Sequence, residues 1–398
     1  MPLNAIHPTT QDTITASLAG AALVISPRYG ESYSFDRAGR LLGVFVDGRS
    51  YQRTLDHRML ERGAVDGRRR ELTGKESTTL LNRVFATLRE LAAGVHRLGL
   101  SPDDQRHLSN ALALILAFGP DRLAEDGEIF KHLYRPVSIL PPDQYLALVL
   151  QATEGCSWNE CTFCGLYRDR PFRIHSPESF RAHCEAVRDF FGDGLSLRRD
   201  IFLADANALV TPQARLVSLL NIAQEIFGLP DGPRPIYSFV SAFDVERKSA
   251  NDWAELHALG LRRAYIGLET GDDVLLRFLN KPGSVDDVIG AVNGLRAGGV
   301  SVAVIVMAGI GGDRFAPTHI ERTVNAIRTM KLGPDDLVYI SNYVPAPNTE
   351  YPELAAQIGI RALSDEEIEE QLRTLQAAIR EVAPETKVAP YRVDGFAL

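Results

Sequence analysis

The chain has 398 residues, 45% of them hydrophobic and 24% charged, and a formal net charge of −8. This composition is typical of a globular protein with one large domain and an appendage. The negative charge argues against a general nucleic-acid-binding protein, which needs clustered Lys and Arg to neutralise phosphates. No apolar run approaches the length of a membrane span and no signal peptide is recognisable, so we expect a cytoplasmic protein.

The first 140 residues begin with short segments of alternating apolar and polar residues, separated by glycine-containing turns. This pattern predicts a small antiparallel meander, and an apolar run before it is also predicted to be a strand. The predicted strands are Leu18–Ile25, Tyr33–Phe35, Leu41–Val46 and Ser50–Arg53.

Helical periodicity follows this meander. Apolar residues between Leu80 and Leu91 recur at helical spacing, and Ser101-Pro102 is typical of a helix N-terminus. The run Arg68–Arg70 could bind an anion, but on a loop such a run is more simply a solvated cluster of charges. We interpret residues 1–140 as an appended α+β region.

From Tyr145 onward the chain alternates between apolar segments and amphipathic helices. This alternation predicts an α/β fold with parallel strands joined by right-handed crossovers, here a partial (β/α)6 TIM-like barrel over residues 141–345. In such barrels the functional residues gather at the carboxyl ends of the strands. A capping box at Ser364 predicts that residues 346–398 form a C-terminal helical extension. The predicted barrel strands are Tyr145–Gln151, Ile201–Ala204, Pro235–Val240, Arg262–Leu268, Val300–Met307 and Leu337–Ser341.

Three of the four cysteines, Cys156, Cys161 and Cys164, lie within nine positions directly after the first predicted barrel strand. Thiolates suit zinc, copper(I) or iron–sulfur clusters, and three on one loop can bind a metal site while leaving one coordination position open. Structural zinc or a ferredoxin-like cluster needs four protein ligands, and a disulfide needs an oxidising compartment. The fourth cysteine, Cys184, is predicted to be buried on the apolar face of a helix.

This loop, with Phe163 before its last cysteine, resembles the signature of the radical S-adenosylmethionine (radical SAM) superfamily. In that superfamily, three cysteines bind a 4Fe-4S cluster whose fourth iron chelates the amino and carboxylate groups of S-adenosyl-L-methionine. The commonest spacing is C-x3-C-x2-C, whereas Ser157 to Glu160 make the first gap here four residues long, as in one branch with C-x4-C-x2-C. The resemblance covers residues 140–398 and implies both cofactors, with Cys156, Cys161 and Cys164 as metal ligands.

The second barrel strand ends in the segment Asp205-Ala206-Asn207. It resembles a superfamily motif that receives the amino group of S-adenosylmethionine, and Asp205 can accept hydrogen bonds while Asn207 can both donate and accept them. A helix-capping turn is the alternative, since Asp and Asn favour turns.

The fourth strand ends in Ile266-Gly267-Leu268-Glu269-Thr270-Gly271, which resembles a superfamily segment whose acidic residue lies near the ribose or amino group. Glu269 is therefore a candidate cofactor ligand, with a solvated strand-end glutamate as the alternative. Ser241, at the end of the third strand, is a weaker candidate for the same ligand.

The fifth strand ends in glycines, of which Gly309 and Gly311 would let the backbone approach a flat adenine closely, although a turn explains them equally well. After the sixth strand, the resemblance places Asn342 and Tyr343 at the adenine edge.

Several other residues near the cysteines admit two interpretations. Arg168, Arg170 and Arg173 could orient a carboxylate or phosphate of the substrate, but an ion-paired loop explains them as well. Trp158 is predicted to shield the cluster from solvent. His319 is predicted to be a helix residue that faces solvent or the sheet.

The resemblance implies an enzyme. A one-electron donor such as flavodoxin or ferredoxin would reduce the cluster, and cleavage of S-adenosylmethionine would give a 5′-deoxyadenosyl radical that abstracts hydrogen from a small-molecule substrate. Residues 1–140 are most simply a cap that shapes the substrate site. Cleavage to a 3-amino-3-carboxypropyl radical and a non-catalytic iron–sulfur redox sensor are the alternatives, but a sensor has no need of the strand-end residues. A second cluster would require further thiols.

Overall fold

The computed structural model describes residues 3–6, 11–63, 69–245 and 248–391. These residues form two compact units. The first comprises the chain up to Val137 together with Ala186–Arg199, and the second comprises Ser138–Glu185 together with the described residues from Asp200 onward.

The first unit contains an eight-stranded antiparallel sheet whose strands neighbour one another in chain order. Buried and exposed residues alternate in several of them because successive side chains of a strand point to opposite faces. Fully buried Ile14, Ile25, Tyr33 and Phe35 form part of its core. The strands are β1 (Leu3–Ile6), β2 (Thr13–Ser17), β3 (Leu23–Ser26), β4 (Ser32–Phe35), β5 (Leu41–Val46), β6 (Arg49–Arg53), β7 (Met59–Arg62) and β8 (Arg69–Glu71).

Three helices follow the sheet: α1 (Gly74–Gly94), α2 (Pro102–Ala117) and α3 (Pro120–Leu133). A capping box of Thr73 and Glu76 begins α1, and the Ser101 hydroxyl accepts a hydrogen bond from the amide of Asp104 at the start of α2. Both helices predicted from the periodicity are therefore present, and their apolar faces contribute Phe85 and Leu112 to the core of this unit.

The prediction of one strand over Leu18–Ile25 is wrong. Strand β2 ends at Ser17 and β3 begins at Leu23, so that only the last residues of the predicted segment are extended. The residues between the two strands form the turn that reverses the chain, and Gly20 lies within this turn. The apolar composition of the segment predicted burial, but it could not locate the reversal.

The arginine run lies at the start of β8, with Arg68 outside the described residues. Arg70 is about half exposed and forms ion pairs with Glu61 (2.6 Å) and Glu76 (3.0 Å). Its charge is therefore already matched by two carboxylates, in line with the interpretation as a surface cluster of charges.

The second unit is built on a seven-stranded parallel sheet in the order β17-β16-β15-β14-β13-β12-β9. The end strands β9 and β17 are not paired with each other, so the sheet is an open, partial barrel. Its strands are β9 (Leu148–Gln151), β12 (Ile201–Ala204), β13 (Ile236–Val240), β14 (Leu261–Glu269), β15 (Ser301–Ala308), β16 (Leu337–Asn342) and β17 (Lys387–Tyr391).

Helices alternate with these strands, as parallel pairing requires. They are α4 (Pro177–Phe191, grouped with the first unit from Ala186 on), α5 (Gln213–Phe227), α6 (Ala242–Val245), α7 (Ala250–Ala258), α8 (Asp273–Phe278), α9 (Val285–Ala297), α10 (Gly312–Met330), α11 (Tyr351–Gln357) and α12 (Asp365–Val382). No described helix combines the length and the apolar composition needed to span a bilayer.

The predicted α/β partial barrel is confirmed, but its sheet has seven strands rather than six. The additional strand, β17, pairs in parallel with β16 and lies at the edge of the sheet. Pro390 lies within it, and proline argues against a strand because it lacks an amide donor. An edge strand tolerates proline, so the pairing depends on tertiary contacts that the local sequence does not reveal.

Candidate active site

The cysteine loop, residues 155–172, lies at the carboxyl end of β9. Two short strands, β10 (Thr153–Glu154) and β11 (Arg173–Ile174), pair in antiparallel fashion and join the two ends of the loop. Gly155 opens the loop with a φ of +76°, and a Cβ at this position would lie 3.1 Å from the carbonyl oxygen of Pro171. Glycine is therefore the residue that this close approach allows.

Cys156, Cys161 and Cys164 are free, partly buried thiols, whereas Cys184 is completely buried in α4. Burial raises the pKa of Cys161 to about 12; the Lys281 ammonium opposes this shift, and the other two thiols and Glu269 add to it. Burial also raises the pKa of Cys164. The thiols of Cys161 and Cys164 are therefore protonated in the metal-free loop, and metal binding would release their protons.

No group of three His, Cys, Asp or Glu side chains in the described part of the chain is arranged to hold a single metal ion. In a 4Fe-4S cluster each cysteine ligates a different iron, so the three sulfurs need not converge on one point. The donor set of the loop, three soft thiols with few competing ligands, has the chemistry of such a cluster.

The backbone of the loop is held by side chains from several directions. The Arg168 guanidinium donates to the carbonyl oxygens of Cys161 and Cys164 and forms an ion pair with Glu350. The indole of Trp158 donates to the carbonyl oxygen of Asn280 (2.8 Å). Of the two interpretations of Arg168, the ion-paired loop is therefore the one found, and Trp158 anchors the loop to the segment after α8.

Asp205, at the end of β12, is almost completely buried beneath the start of the cysteine loop. Its Oδ2 accepts a hydrogen bond from the amide of Gly155 (3.0 Å), its Oδ1 accepts one from Nε2 of Gln151 (3.3 Å), and the Arg170 guanidinium lies 3.8 Å away. Burial raises the pKa of Asp205 to about 6, although the Gly155 amide and Arg170 favour its charged form. The carboxylate thus fixes the first residues of the loop.

Asn207 connects the ends of two strands with the cysteine loop. Its Nδ2 donates to the hydroxyl of Ser157 (2.8 Å), and its Oδ1 accepts a hydrogen bond from the amide of Ser241 at the end of β13 (3.0 Å). Asn207 is buried, so these contacts are protected from water. Asp205, Asn207 and Ser241 therefore lie in one hydrogen-bonded network with the loop, and their predicted role in binding the cofactor stays a prediction.

Glu269, the last residue of β14, has a φ of +61° and is largely buried. Its Oε1 lies 3.3 Å from the ammonium of Lys281, a residue that the sequence analysis missed. Burial alone would lower the pKa of Lys281, but Glu269 and the thiols of Cys161 and Cys156 outweigh it, and the net pKa is raised. A carboxylate and an ammonium thus lie side by side next to the cysteine loop.

A second group of polar atoms lies at the ends of β15 and β16. The amide of Gly309 donates to Oε1 of Gln371 on α12 (2.6 Å). Among the described residues, Nε2 of Gln371, Oδ1 of Asn342 and the hydroxyl of Tyr343 are buried without a hydrogen-bond partner. Unpaired buried polar atoms are costly, so each of these three is a candidate for a hydrogen bond with a bound ligand.

Gly311, the second glycine predicted to lie near adenine, contacts a pair of packed tyrosines. The amide of Gly311 donates to the hydroxyl of Tyr351 (2.8 Å), whose ring packs edge-on against that of Tyr343 at 5.1 Å. His319 is fully buried against the sheet, and its Nδ1 lies 2.8 Å from the Thr270 hydroxyl. Of the two orientations predicted for His319, towards solvent or towards the sheet, the structure therefore shows the second.

Sequence reasoning missed Lys281, Gln371 and the role of Arg168. Neither Lys281 nor Gln371 lies at the end of a barrel strand, where functional residues were expected. Lys281 lies in the segment after α8, and Gln371 lies on α12. Gln371 could have been recognised as a polar residue on the otherwise apolar, buried face of α12.

A cleft of about 510 Å³ borders the cysteine loop, and it is lined by Asn159, Glu160, Thr162, Arg168, Asn280 and Glu350.

Comparison with known proteins agrees with the geometry of the loop. The model of the radical SAM superfamily matches residues 150–327. No curated protein matches the sequence significantly.

Among solved structures, the coproporphyrinogen III oxidase HemN of Escherichia coli, described as a radical SAM enzyme, is similar at 16% identity and a TM-score of 0.45, over 67% of this chain and 57% of HemN. The [FeFe]-hydrogenase maturase HydG is similar at 14% identity and a TM-score of 0.41, over 79% of this chain and 66% of HydG. Methylornithine synthase PylB is similar at 15% identity and a TM-score of 0.39, over 75% of this chain and 85% of PylB. This chain thus spans less than two thirds of HemN. Residues 150–327, which hold the cysteine loop and the strands from β12 to β15, therefore match the radical SAM domain, and the members of that superfamily are enzymes that bind a 4Fe-4S cluster and S-adenosylmethionine.

Proposed function

We propose that this protein cleaves S-adenosylmethionine reductively and uses the resulting 5′-deoxyadenosyl radical to abstract hydrogen from a small-molecule substrate. The observation that carries the proposal is the hydrogen-bonded network of Asp205 and Asn207 with the cysteine loop. Residues that could bind the organic cofactor are thereby fixed to the residues that could bind the cluster. A redox sensor would need only the loop.

The residues present fit both cofactors. Cys156, Cys161 and Cys164 would hold the cluster, and the unpaired polar atoms of Asn342, Tyr343 and Gln371 would hold the adenine. When bound, the cluster supplies an electron that cleaves a carbon–sulfur bond of S-adenosylmethionine. The protein's contribution is to bind, orient and exclude water.

The methionyl group of the cofactor carries one amino group and one carboxylate, which the fourth iron would chelate. Glu269 could accept a hydrogen bond from the amino group and Lys281 could donate one to the carboxylate, and the two side chains are separated by 3.3 Å. Asp205 follows β12, which is separated from β14 by β13, and both of its oxygens already accept hydrogen bonds from Gln151 and Gly155. Its contribution to binding of the methionyl amino group would therefore be electrostatic.

Gln371 extends the adenine site predicted from Gly309, Gly311, Asn342 and Tyr343. Its Oε1 is occupied by the Gly309 amide, which fixes the side chain and leaves Nε2 as a free donor for a ring nitrogen. The unpaired Oδ1 of Asn342 can accept from an exocyclic amine. One unpaired donor and one unpaired acceptor are the groups that the edge of adenine requires.

The proposal extends to the electron donor, the substrate and the compartment. A small iron–sulfur or flavin protein, such as ferredoxin or flavodoxin, would donate the electron. The first unit would contribute to the choice of substrate. No membrane or nucleic-acid partner is proposed, and we place the reaction in the cytoplasm.

The test is product analysis. Protein reconstituted anaerobically with iron and sulfide is reduced with dithionite in the presence of S-adenosylmethionine, and the nucleoside products are identified by mass spectrometry. Slow release of 5′-deoxyadenosine, absent in Cys161→Ala, supports the proposal. Methylthioadenosine as the main product would favour the 3-amino-3-carboxypropyl route, and an intact cluster without any cleavage would favour the sensor.

A further inference from the structure

Arg168 uses all five N–H donors of its guanidinium within the protein. Nε donates to the carbonyl oxygen of Cys164 (3.1 Å), and one terminal nitrogen donates to that of Cys161 (3.0 Å) and to Glu350 (2.6 Å). The other terminal nitrogen donates to Glu350 (2.6 Å) and to the carbonyl oxygen of Asn348 (3.2 Å). Lysine could not reproduce this planar fork.

Two of the carbonyl oxygens that accept hydrogen bonds from Arg168 belong to Cys161 and Cys164, two of the three predicted cluster ligands. Two other contacts of this part of the loop come from neutral groups: the amide of Tyr351 donates to the carbonyl oxygen of Thr162, and the side chain of Asn280 donates to that of Glu160. Arg168, in contrast, places a cation against the backbone of two predicted ligands.

Glu350 neutralises this cation from the segment between β16 and α11. The contact is bidentate, and the side chain of Arg168 is only 27% exposed while that of Glu350 is 53% exposed. A fixed positive charge beside an iron–sulfur cluster stabilises its reduced form, and a paired carboxylate cancels much of that effect. Arg168 can therefore hold the loop through strong guanidinium hydrogen bonds, while Glu350 limits the effect of the Arg168 charge on the reduced cluster.

We propose that Arg168 and Glu350 together set the reduction potential of the cluster, with Arg168 as a positioning residue and Glu350 as its charge partner. The inference rests on the proposed function, since it needs the cluster to be bound by this loop. A low potential favours electron transfer to a sulfonium, which is difficult to reduce. Loss of Glu350 would leave the cation unpaired and raise the potential, whereas loss of the Arg168 charge would lower it.

The experiment is a redox titration of the reconstituted protein, followed by electron paramagnetic resonance of the reduced cluster. Glu350→Gln, which keeps the size and one acceptor, is expected to shift the midpoint to a more positive value. We expect at least a tenfold change in the ratio of reduced to oxidised cluster at a fixed potential, which equals 59 mV for a one-electron couple. Arg168→Gln is expected to shift the midpoint the opposite way, and the double variant to return towards the wild type.

One further variant separates the charge of Arg168 from its hydrogen-bonding geometry, and another is a control at a remote ion pair. Arg168→Lys keeps the charge but not the fork, so its midpoint should remain near that of the wild type while its iron content falls. Glu225→Gln disrupts a bidentate pair with Arg181, an exposed contact between α4 and α5, and should leave the midpoint unchanged.

The inference is overturned if Glu350→Gln leaves the midpoint unchanged, or if Glu350→Gln and Arg168→Gln shift it in the same direction. If Arg168→Gln loses the cluster, Glu350→Gln alone decides, because it retains the Arg168 contacts to both carbonyls. Failure of the wild-type protein to bind a cluster would instead refute the proposed function.

Discussion

The Asp205 carboxylate accepts a hydrogen bond from the amide of Gly155, the residue directly before the first cysteine of the loop. A side chain at the end of β12 therefore holds the start of a loop that follows β9. The contact is buried, and its loss would leave the Gly155 amide without this acceptor.

This relationship separates two variants of Asp205. Asp205→Asn retains an acceptor for Gly155 but removes the charge, so the cluster should persist while the affinity for S-adenosylmethionine falls. A lost charge-assisted contact costs about 1.5–3 kcal/mol, or roughly ten- to a hundredfold in affinity. Asp205→Ala should lower the iron content as well. Iron assays and equilibrium dialysis measure both, and equal behaviour of the two variants would contradict the account.

Glu269 and Lys281 are expected to bind the amino and carboxylate groups of the methionyl moiety. Glu269→Gln and Lys281→Met should each weaken binding of S-adenosylmethionine by roughly ten- to a hundredfold, because each removes one charge-assisted contact. The absorption spectrum of the cluster should persist in both. Calorimetric titration of the reconstituted variants is the measurement, and wild-type affinity in both would show that the pair serves the structure alone.

Gln371 is expected to recognise the edge of adenine. Gln371→Glu keeps an oxygen for the Gly309 amide but replaces the Nε2 donor, so binding of S-adenosylmethionine should weaken by about threefold to tenfold, the effect of one neutral hydrogen bond. An analogue with hypoxanthine in place of adenine reverses the donor and acceptor of the ring edge. The wild type should discriminate against this analogue and Gln371→Glu should not. Unchanged discrimination in the variant would refute the role.

The pH dependence of stability should report on His183. Its Nε2 accepts a hydrogen bond from the amide of Gln151 at the end of β9, and burial, with a smaller effect of His175, lowers its pKa from 6.5 to about 4. Between these values the unfolded chain binds a proton that the folded protein does not, so stability is lost as the pH falls.

His183→Gln offers a non-titrating acceptor to the same amide. Relative to this variant, the metal-free wild type should lose about 1–3 kcal/mol of unfolding free energy between pH 7 and pH 4. Urea unfolding at several pH values measures the difference. Parallel pH profiles for the two proteins would contradict the assigned pKa.

Much of the second unit could be predicted from sequence because its strands are buried on both faces and read as apolar runs. The predicted second strand, Ile201–Ala204, has the observed bounds. The fourth and fifth differ from the observed strands by one residue at each end, and the sixth by one residue at one end. Polar residues at the ends of these strands were therefore placed correctly. Lys281 and Gln371 were missed because their roles depend on how the segment after α8 and helix α12 pack, which periodicity does not specify.

The boundary of the first unit could not be predicted for a similar reason. Residues 186–199 belong to this unit although they lie between two barrel strands. Arg40 donates to the carbonyl oxygens of Phe190 and Phe191 and forms a 2.8 Å ion pair with Asp126. These buried contacts join segments that are more than 80 residues apart. Deletion of residues 1–135 would remove the partners of this segment, so the role of the first unit is better tested by point substitutions.

The most direct test of the central claim compares the iron content and electron paramagnetic resonance spectra of Cys161→Ala and Cys184→Ala after anaerobic reconstitution. Both variants remove one partly or fully buried thiol, but only Cys161 lies in the loop. The account predicts about four iron atoms per chain for the wild type and for Cys184→Ala, the content of one 4Fe-4S cluster, and loss of the cluster in Cys161→Ala. Retention of the cluster in Cys161→Ala, or its loss in Cys184→Ala, would contradict the assignment of Cys156, Cys161 and Cys164 as its ligands.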